Sequence, residues 1–472
     1  MDYTQKQSAP SLRKADLALA VLFCAVVGIG CLTIIVRMGT RVLMKLDLCS
    51  QPIVNAVFFD NVLMKEDFAR RHNKLPAVNW QALYPLSEET VRFYEGTIDS
   101  RDSLKDKSRK LVLQIPKATA AIAQVNTWLN GQFIARYFFI EMIRRVQKPC
   151  GIAYLASIDE TGEAVDKLPN GHLTKFTKKI DSSPAAASLI RFNEFLSTRG
   201  IPLLYVQAPR KVDPADTSVS GKLDFSNQNA DELLHLIDGE VDYMDLRDEM
   251  QKAGMDHYES FYLTDHHWKT ETGFWATRVI AQRLNADFQL GLDDELLDPA
   301  NFNFEVLPES FLGSHGRAAT LVLADMEDFS LITPKDEYDL DVEIYPSDYL
   351  ARKASGSFEL FIFPELFQTK KTAYAKDSYH AHLKGDSIIF VRNNSAQNDL
   401  RILLIGDSFA NCVKCFLPLC VKNFDALDLR GQRLKHFNGS LSAFIDAHER
   451  YDACIMLVSA GAIDTEEFFD FR

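Results

Sequence analysis

The sequence predicts an α/β fold in which a parallel sheet is covered by helices on both faces and is preceded by one N-terminal transmembrane helix. Residues 17–36 form an apolar run of twenty residues without a charge. From Ser183 onward, helix-like stretches alternate with short, mostly apolar runs, which is the pattern of a parallel sheet buried on both faces. Residues 291–400 break this alternation and are predicted to be a β-rich insertion.

Composition narrows the class of protein. The chain has 472 residues, of which 47% are hydrophobic and 25% charged, as expected for an ordinary globular protein of several structural units. Lysine and arginine number 52 against 65 aspartates and glutamates, giving a net charge of −13. Because nucleic-acid binding needs a basic face, no nucleic-acid partner is expected. Eight cysteines are too few for a disulfide scaffold.

The apolar run at residues 17–36 is long enough to cross a membrane, since twenty helical residues span roughly 30 Å. A cleaved signal peptide is the alternative, because residues 13–14 are basic and precede the run. The length of the run, and the lack of a small-x-small site after it, favour an uncleaved signal anchor. Residues 1–45 are therefore predicted to be a tail and transmembrane anchor, and 46–180 a mixed membrane-proximal region.

Each element of the predicted α/β domain has its own signal. Ser183-Pro184 is a good start for a helix to about Thr198, and Arg199-Gly200 ends it. The apolar runs that predict the parallel strands are 201–206, 241–246, 401–405, 426–429 and 453–458. The domain is thus predicted to be discontinuous, with its first segment at 181–290 and its second at 401–472. Within the 291–400 insertion, alternation predicts strands around 341–345 and 358–363.

Ser408 lies in the segment Gly406-Asp407-Ser408-Phe409, directly after an apolar strand and directly before a helix. A strand-to-helix turn places the serine hydroxyl at the carboxyl edge of the sheet, where the helix N-terminus offers N–H groups to a developing oxyanion. The motif alone is equally compatible with a serine that merely caps the helix.

Asp265 and His267 form an Asp-x-His pair in the segment Asp265-His266-His267-Trp268. In an extended stretch both side chains project to the same side, so a carboxylate can hold the imidazole Nδ1–H while Nε2 faces a nucleophile. His266 would then point to the opposite face. Metal binding, with His257 as the nearest additional ligand, and a purely structural role are the alternatives. No HExxH or paired CxxC motif supports a metal site.

The two segments resemble the DHHW family of membrane-anchored, extracytoplasmic bacterial proteins, which are related to the alginate O-acetyltransferases within the SGNH hydrolase superfamily. The likeness spans roughly residues 185–465. Further segments that share it are 208–212, 245–247, 311–314 and 428–430. The resemblance implies an SGNH-hydrolase-like (flavodoxin-like) parallel sheet.

The resemblance also implies a catalytic triad. Mapped onto this sequence, Ser408 is the nucleophile, His267 the general base and then acid, and Asp265 the group that orients His267. His266 fills the variable position between them. The N–H of Ser408 is an expected oxyanion donor. Candidates for a second oxyanion or substrate contact are Asn438, Gly439 and Arg430.

The activity implied is O-acetyl transfer or acetyl-ester hydrolysis on cell-envelope polysaccharide, with no cofactor and no metal. Ser408 would receive an acetyl group delivered by a multi-spanning membrane O-acyltransferase and pass it to a sugar hydroxyl, or to water in an esterase. The chain is expected to be a single-pass protein of the cell membrane, with its N-terminus cytoplasmic and its large domain outside. The alternative is a non-catalytic polysaccharide-binding or assembly protein on the same scaffold, because a fold alone does not establish an activity.

Overall fold

A computed structural model describes residues 165–346, 352–383, 387–430, 440–448 and 450–463, together with Glu141, Arg145 and Phe469. The elements below all lie in one unit, Arg144–Asp159 with Glu163–Arg472. The predicted anchor at residues 17–36 lies outside the described residues. Among the helices that are described, none combines the length and apolar character needed to cross a membrane.

Strands and helices alternate along most of the described chain. The strands are β1 (Asp166–Lys167), β2 (Leu173–Thr174), β3 (Leu203–Ala208), β4 (Tyr243–Asp245), β5 (Phe302–Phe311), β6 (Glu327–Pro334), β7 (Leu340–Pro346), β8 (Arg352–Gly356), β9 (Ser387–Asn393), β10 (Arg401–Gly406), β11 (Asn423–Leu427) and β12 (Ala453–Ser459). The α-helices are α1 (Ser183–Ser197), α2 (Ser226–Ile237), α3 (Leu246–Lys252), α4 (Thr270–Phe288), α5 (Ser314–Ala319), α6 (Asn411–Phe416) and α7 (Leu441–Ala447).

One large sheet organises the described residues, with its strands in the order β4-β3-β12-β10-β11-β9-β7-β8. The five strands predicted from apolar runs, β3, β4, β10, β11 and β12, form its parallel part. β12, the last of them in sequence, lies between β3 and β10. The predicted sharing of one sheet by the two halves of the domain is therefore confirmed, whereas the domain boundaries themselves stay predictions.

The sheet is mixed, so the prediction of a parallel sheet that residues 291–400 merely interrupt needs correction: three strands of that segment extend the sheet. Within the predicted insertion, β9 pairs antiparallel with β11, β7 with β9, and β8 with β7. The other two strands of this segment, β5 and β6, pair antiparallel with each other outside the large sheet. β9 can lie inside the sheet, with both faces covered, because it is apolar on both of its faces. Ile388 joins the hydrophobic core on one side of the sheet and Ile389 the core on the other.

Two hydrophobic cores cover the two faces of this sheet, because side chains alternate along each strand. Leu204 and Leu404 belong to one core, which includes side chains of α4 and α6. Their chain neighbours Leu203 and Leu403 belong to the other core, which includes side chains of α1, α2 and α7. The predicted covering of both faces by helices is confirmed.

The strand predicted around residues 358–363 is absent, and this segment instead contains a 3₁₀ turn, Phe358–Phe361. Phe358 and Phe361 are three positions apart and both are buried in the same core. A 3₁₀ turn places residues at this spacing on one side, whereas a strand would direct them to opposite faces.

His382 is buried after the 3₁₀ turn Ser378–Ala381, and its Nε2 has no hydrogen-bond partner among the described residues. Burial lowers its pKa to about 4. Below about pH 6.5 the unfolded chain therefore binds a proton at this residue that the folded chain does not. The free energy of unfolding therefore decreases, through His382, as the pH falls from about 6.5 towards 4.

We expect His382→Leu to remove this component of the acid sensitivity. The free energy of unfolding of the variant minus that of the unsubstituted chain should be roughly 2 kcal/mol more positive at about pH 4.5 than at about pH 8. Urea unfolding followed by circular dichroism at the two pH values measures this difference. A difference between the two proteins that is the same at both pH values would contradict the assignment.

Candidate active site

Ser408 lies at the carboxyl edge of the sheet, two residues after the end of β10. It begins a short 3₁₀ turn, Ser408–Ala410, that continues into α6. A Cβ atom on Gly406 would lie 2.7 Å from the Cβ of Ala410 and 2.9 Å from the carbonyl oxygen of Leu457. Only glycine fits at this crowded position, and its presence lets the chain turn directly from strand to helix.

Asp407, and not Ser408, caps this turn. One carboxylate oxygen of Asp407 accepts the N–H of Phe409 at 2.9 Å. The other accepts the N–H of Ser459, at the end of β12, also at 2.9 Å. Asp407 therefore ties the turn to the neighbouring strand, and the hydroxyl of Ser408 is not needed as a helix cap.

The side chains of Asp265, His267 and Ser408 converge. Nε2 of His267 lies 2.7 Å from Oγ of Ser408, and Nδ1 of His267 lies 2.6 Å from Oδ1 of Asp265. A carboxylate can only accept hydrogen bonds, so Nδ1 carries the hydrogen and Nε2 is left to accept the hydroxyl proton. All three residues are less than 10% exposed, at 3%, 6% and 8% in chain order.

The segment from Asp265 to His267 is a turn and not an extended strand. Oδ1 of Asp265 accepts the backbone N–H of His267 at 3.1 Å as well as its ring N–H, and this double acceptance folds the segment over the carboxylate. The ring of His266 consequently lies 3.8 Å from the ring of His267. The prediction that His266 points to the opposite face is therefore wrong.

Asp265 is fixed on its other side by the segment that begins α5. Its Oδ2 accepts the N–H of Ser314 at 2.6 Å, and the N–H of Gly313 binds Oγ1 of Thr264 at 2.9 Å. Burial opposes ionisation of Asp265, but His266 and His267 beside it hold its pKa well below the usual range. The carboxylate is therefore charged while buried. No separate signal marked this role of Gly313 and Ser314, although residues 311–314 contribute to the resemblance.

A half-buried acid and a buried base hold the turn just before Asp265. The carboxylate of Glu327 accepts the N–H groups of Leu263 at 2.6 Å and Thr264 at 2.7 Å. Nζ of Lys211 donates to the carbonyl oxygens of Leu263 at 3.1 Å and Leu173 at 2.8 Å. Burial raises the pKa of Glu327 and lowers the pKa of Lys211 to about 7. Both side chains fix backbone groups of the turn and so position Asp265.

Aromatic rings surround His267. Trp268 is fully buried and its ring lies 5.3 Å from that of Phe409, the residue after the serine. The ring of Tyr379, which lies between β8 and β9, stacks on His267 with centroids 4.0 Å apart and an angle of 15° between the planes. Sequence reasoning missed Tyr379, because it lies in the predicted insertion and in no recognisable motif.

A metal would have to displace the hydrogen bonds of the site. Asp265, His266 and His267 are the one group of possible ligands found within the described ranges, with atoms within 4.8 Å of one another. Both ring nitrogens of His267 already face partners, Asp265 and Ser408. Nε2 of His257, the additional ligand considered above, lies 2.8 Å from the carbonyl oxygen of Arg210. These donors do not fit a metal centre.

Of the other candidates, Arg430 follows β11, the neighbour of β10. Its Nε and Nη2 donate to the two carboxylate oxygens of Asp428 at 3.0 and 2.6 Å. Asp245, the last residue of β4, and Arg247 repeat this pairing at 3.0 and 2.7 Å. Each of the two Asp-Leu-Arg sequences thus forms an Asp–Arg ion pair at the end of a strand. A substrate contact by Arg430 stays a prediction. The candidates at 438–439 lie outside the described residues.

One protein-family model matches part of the chain. The family described as "SGNH hydrolase-like domain, acetyltransferase AlgX" matches residues 173–324, a range that includes Asp265 and His267 and ends before Ser408. No curated protein matches the chain significantly in sequence.

Solved structures show the same fold. The structure of Bacillus cereus PatB1 with a sulfonyl adduct is 17% identical, with a TM-score of 0.54 over 66% of this chain and 99% of PatB1. A DHHW family protein from Eubacterium siraeum is 14% identical, with a TM-score of 0.50 over 65% of this chain and 94% of that protein. The resemblance predicted from the two motifs is confirmed: residues 173–324 match the family model of an SGNH hydrolase-like domain, and these solved structures share the fold of the chain.

Proposed function

We propose that this protein is a serine-dependent O-acetyltransferase or acetylesterase of cell-envelope polysaccharide, with Ser408 as the nucleophile. The observation that carries the proposal is the continuous line of hydrogen bonds from Asp265 through His267 to Ser408, at 2.6 and 2.7 Å. Serine is a weak nucleophile that needs an adjacent base, and the base needs an orienting partner. The acetyltransferase description of the matched family supports acetyl as the group transferred.

In the first half-reaction, Oγ of Ser408 attacks the acetyl carbonyl carbon of the donor while its proton passes to Nε2 of His267. The N–H of Ser408, at the start of the helical turn, is the expected donor to the oxyanion that forms. The bond from the carbonyl carbon to the oxygen of the donor then breaks. That oxygen takes the proton from His267, and Ser408 is left as an acetyl ester.

In the second half-reaction, a sugar hydroxyl or water gives its proton to Nε2 of His267 and attacks the acetyl ester. The bond to Oγ breaks, and Ser408 regains its proton from His267. Because the pKa of Asp265 lies well below its usual range, its carboxylate stays ionised throughout. It stabilises the imidazolium without itself accepting the proton.

Ser408→Ala and His267→Ala should each lower kcat by on the order of 10³-fold or more, and the double substitution should cost little more than either alone. Because the two residues act as one unit, either single substitution already removes the rate enhancement that they provide together. The measurement is acetyl release from a chromogenic acetyl ester by the purified full-length chain in mild detergent.

Ser387→Ala is the matched control, because Ser387 belongs to a second Gly-Asp-Ser sequence and begins β9 instead of following a strand. It should leave kcat unchanged. Covalent labelling by a sulfonyl fluoride, a reagent suggested by the PatB1 sulfonyl adduct, should require Ser408 and not Ser387. A fully active Ser408→Ala protein would mean that no acyl-enzyme forms here, and would favour the binding-protein alternative.

Gly313→Ala should lower kcat by on the order of 100-fold, because it displaces Asp265. The added methyl group would lie 2.3 Å from Cβ of Asp265 and 2.6 Å from the carbonyl oxygen of Thr264. Gly356→Ala is the control, since its methyl group would lie 3.5 Å from Leu360, an ordinary contact distance. Steady-state kinetics on the same ester compares the two variants. Full kcat in Gly313→Ala would show that the triad tolerates movement of Asp265.

Membrane anchoring, location and partners belong to the same proposal. The apolar length of residues 17–36 supports a single-pass signal anchor. The resemblance to membrane-anchored, extracytoplasmic proteins supports a cytoplasmic N-terminus. The large domain would then lie outside, where polysaccharide acceptors and a multi-spanning membrane O-acyltransferase that supplies acetyl groups can reach it.

Protease added to intact cells should degrade the chain from about residue 45 onward, because that region is exposed outside the membrane. Immunoblotting against a C-terminal tag follows the loss of the large fragment, and a cytoplasmic marker protein in the same cells should survive. If the fragment persists until the membrane is permeabilised, the orientation is reversed and the envelope-polysaccharide function is wrong.

A further inference from the structure

Tyr379 contacts two members of the triad at once. It lies in the 3₁₀ turn Ser378–Ala381 and is buried. Its ring stacks almost parallel on that of His267, at 4.0 Å and 15°. Its hydroxyl donates to the backbone carbonyl oxygen of Ser408 at 2.9 Å. A side chain from outside the parallel strands thus touches both the base and the residue that carries the nucleophile.

We propose that Tyr379 is a positioning residue that fixes the position of the ring of His267 relative to the backbone of Ser408. The inference rests on the proposed function of the triad. The hydrogen bond to Asp265 fixes the Nδ1 edge of the imidazole, but a single hydrogen bond leaves the ring free to tilt about it. The phenol ring lies against the face of the imidazole and removes that freedom by packing.

The second contact fixes the peptide group between Ser408 and Phe409 at both ends. Its N–H is bound by Oδ1 of Asp407 at 2.9 Å, and its carbonyl oxygen by the hydroxyl of Tyr379 at 2.9 Å. The direction of Oγ depends on this backbone. Burial raises the pKa of Tyr379 well above its ordinary value, so the phenol keeps its proton and acts as a donor.

Tyr379 is itself anchored to the segment that orients Asp265. Its N–H binds Oδ1 of Asp377 at 3.1 Å. The other oxygen of Asp377 accepts from Nη2 of Arg317 at 2.8 Å, and Nη1 of Arg317 donates to the carbonyl oxygen of Leu312 at 3.0 Å. Leu312 directly precedes the Gly313-Ser314 pair that contacts Thr264 and Asp265. The two ends of the triad are therefore held by connected segments.

Gln368 strengthens this connection from the interior. Its Oε1 accepts the N–H of Leu312 at 2.9 Å, and its Nε2 lies 3.0 Å from the carbonyl oxygen of the same residue. The same Nε2 also donates to the carbonyl oxygens of Ala373 and Lys376 at 2.8 and 2.9 Å. A buried amide with all of these partners joins the segment before α5 to the segment that leads to Tyr379.

The phenol face also suits the change of charge at His267. The imidazole becomes a cation when it takes the serine proton, and an aromatic face attracts a cation without adding a negative charge. Tyr379 therefore contacts His267 favourably in both protonation states. A leucine would fill some of the space but would supply neither the ring face nor the hydroxyl.

The test compares Tyr379→Phe, which removes only the hydroxyl, with Tyr379→Leu, which also removes the ring. We expect kcat on the chromogenic ester to fall about 3- to 10-fold in the phenylalanine variant and on the order of 100-fold in the leucine variant. KM should stay within about twofold, because positioning acts in the transition state. All proteins are full-length chains in mild detergent.

Tyr374→Phe is the matched control, since the hydroxyl of Tyr374 accepts the N–H of Leu321 at 2.8 Å, in the same segment of the insertion. It should leave kcat unchanged. The thermal unfolding midpoint is recorded for every variant. If Tyr379→Leu does not fold, the nearly isosteric Tyr379→Phe decides the question.

A double substitution separates positioning from a merely structural role. In a His267→Ala background, Tyr379→Leu should reduce the rate of sulfonyl fluoride labelling further by no more than the about 3- to 10-fold expected for loss of the hydroxyl, because the contribution of the ring passes through His267. If the loss in the double variant equals the product of the losses in His267→Ala and Tyr379→Leu, the proposal is wrong. It is also wrong if the Tyr379 variants keep wild-type kcat while Ser408→Ala is inactive. If Ser408→Ala is fully active, the proposed function itself fails.

Discussion

The buried charge of Asp265 constrains the rest of the candidate active site. An isolated carboxylate loses several kcal/mol when it leaves water, and it stays ionised only if hydrogen-bond donors replace the solvent. Here the donors are the backbone and ring N–H groups of His267 and the N–H of Ser314. Gly313 has no side chain at the point where one would strike Asp265. The turn at 263–267, the position of His266 and the approach of α5 all follow from solvating this one group.

Much of the fold could be predicted, because strands buried on both faces leave a strong local signal. The apolar runs at 201–206 and 453–458 correspond to β3 and β12, shifted by at most two residues. The order of strands leaves no such signal. β9 is apolar on both faces like a parallel strand, and nothing local reveals that it pairs antiparallel with β11, as in the register of Phe390 with Asp425. Pairing depends on contacts between segments distant in sequence, which the hydrophobic pattern does not specify.

The candidate site likewise contains residues that the sequence predicts and residues that it does not. Asp265, His267 and Ser408 were predictable because each lies in a short motif whose chemistry depends on local spacing. The orientation of His266 was not, because an aspartate that accepts its neighbour's backbone N–H converts an extended segment into a turn. Tyr379 was not predictable either. Its role comes from a stacking distance and one hydrogen bond across the fold, and a tyrosine in a loop leaves no trace of such contacts in the sequence.

The triad and the residues around it come from different parts of the chain, and this difference bears on the choice of acetyl acceptor. The sheet supplies Ser408, and the turn before α4 supplies Asp265 and His267. In the proposed mechanism these three groups would perform the same proton transfers whether a sugar hydroxyl or water attacks the acetyl ester. Selection between the two acceptors must therefore come from the residues that surround the triad and govern access of water to it. Tyr379 and the segment that begins α5 both belong to the region predicted as an insertion, and both lie against the triad. The region of the chain that departs from the repeating α/β pattern is thus where the proposed transferase and esterase activities would be distinguished.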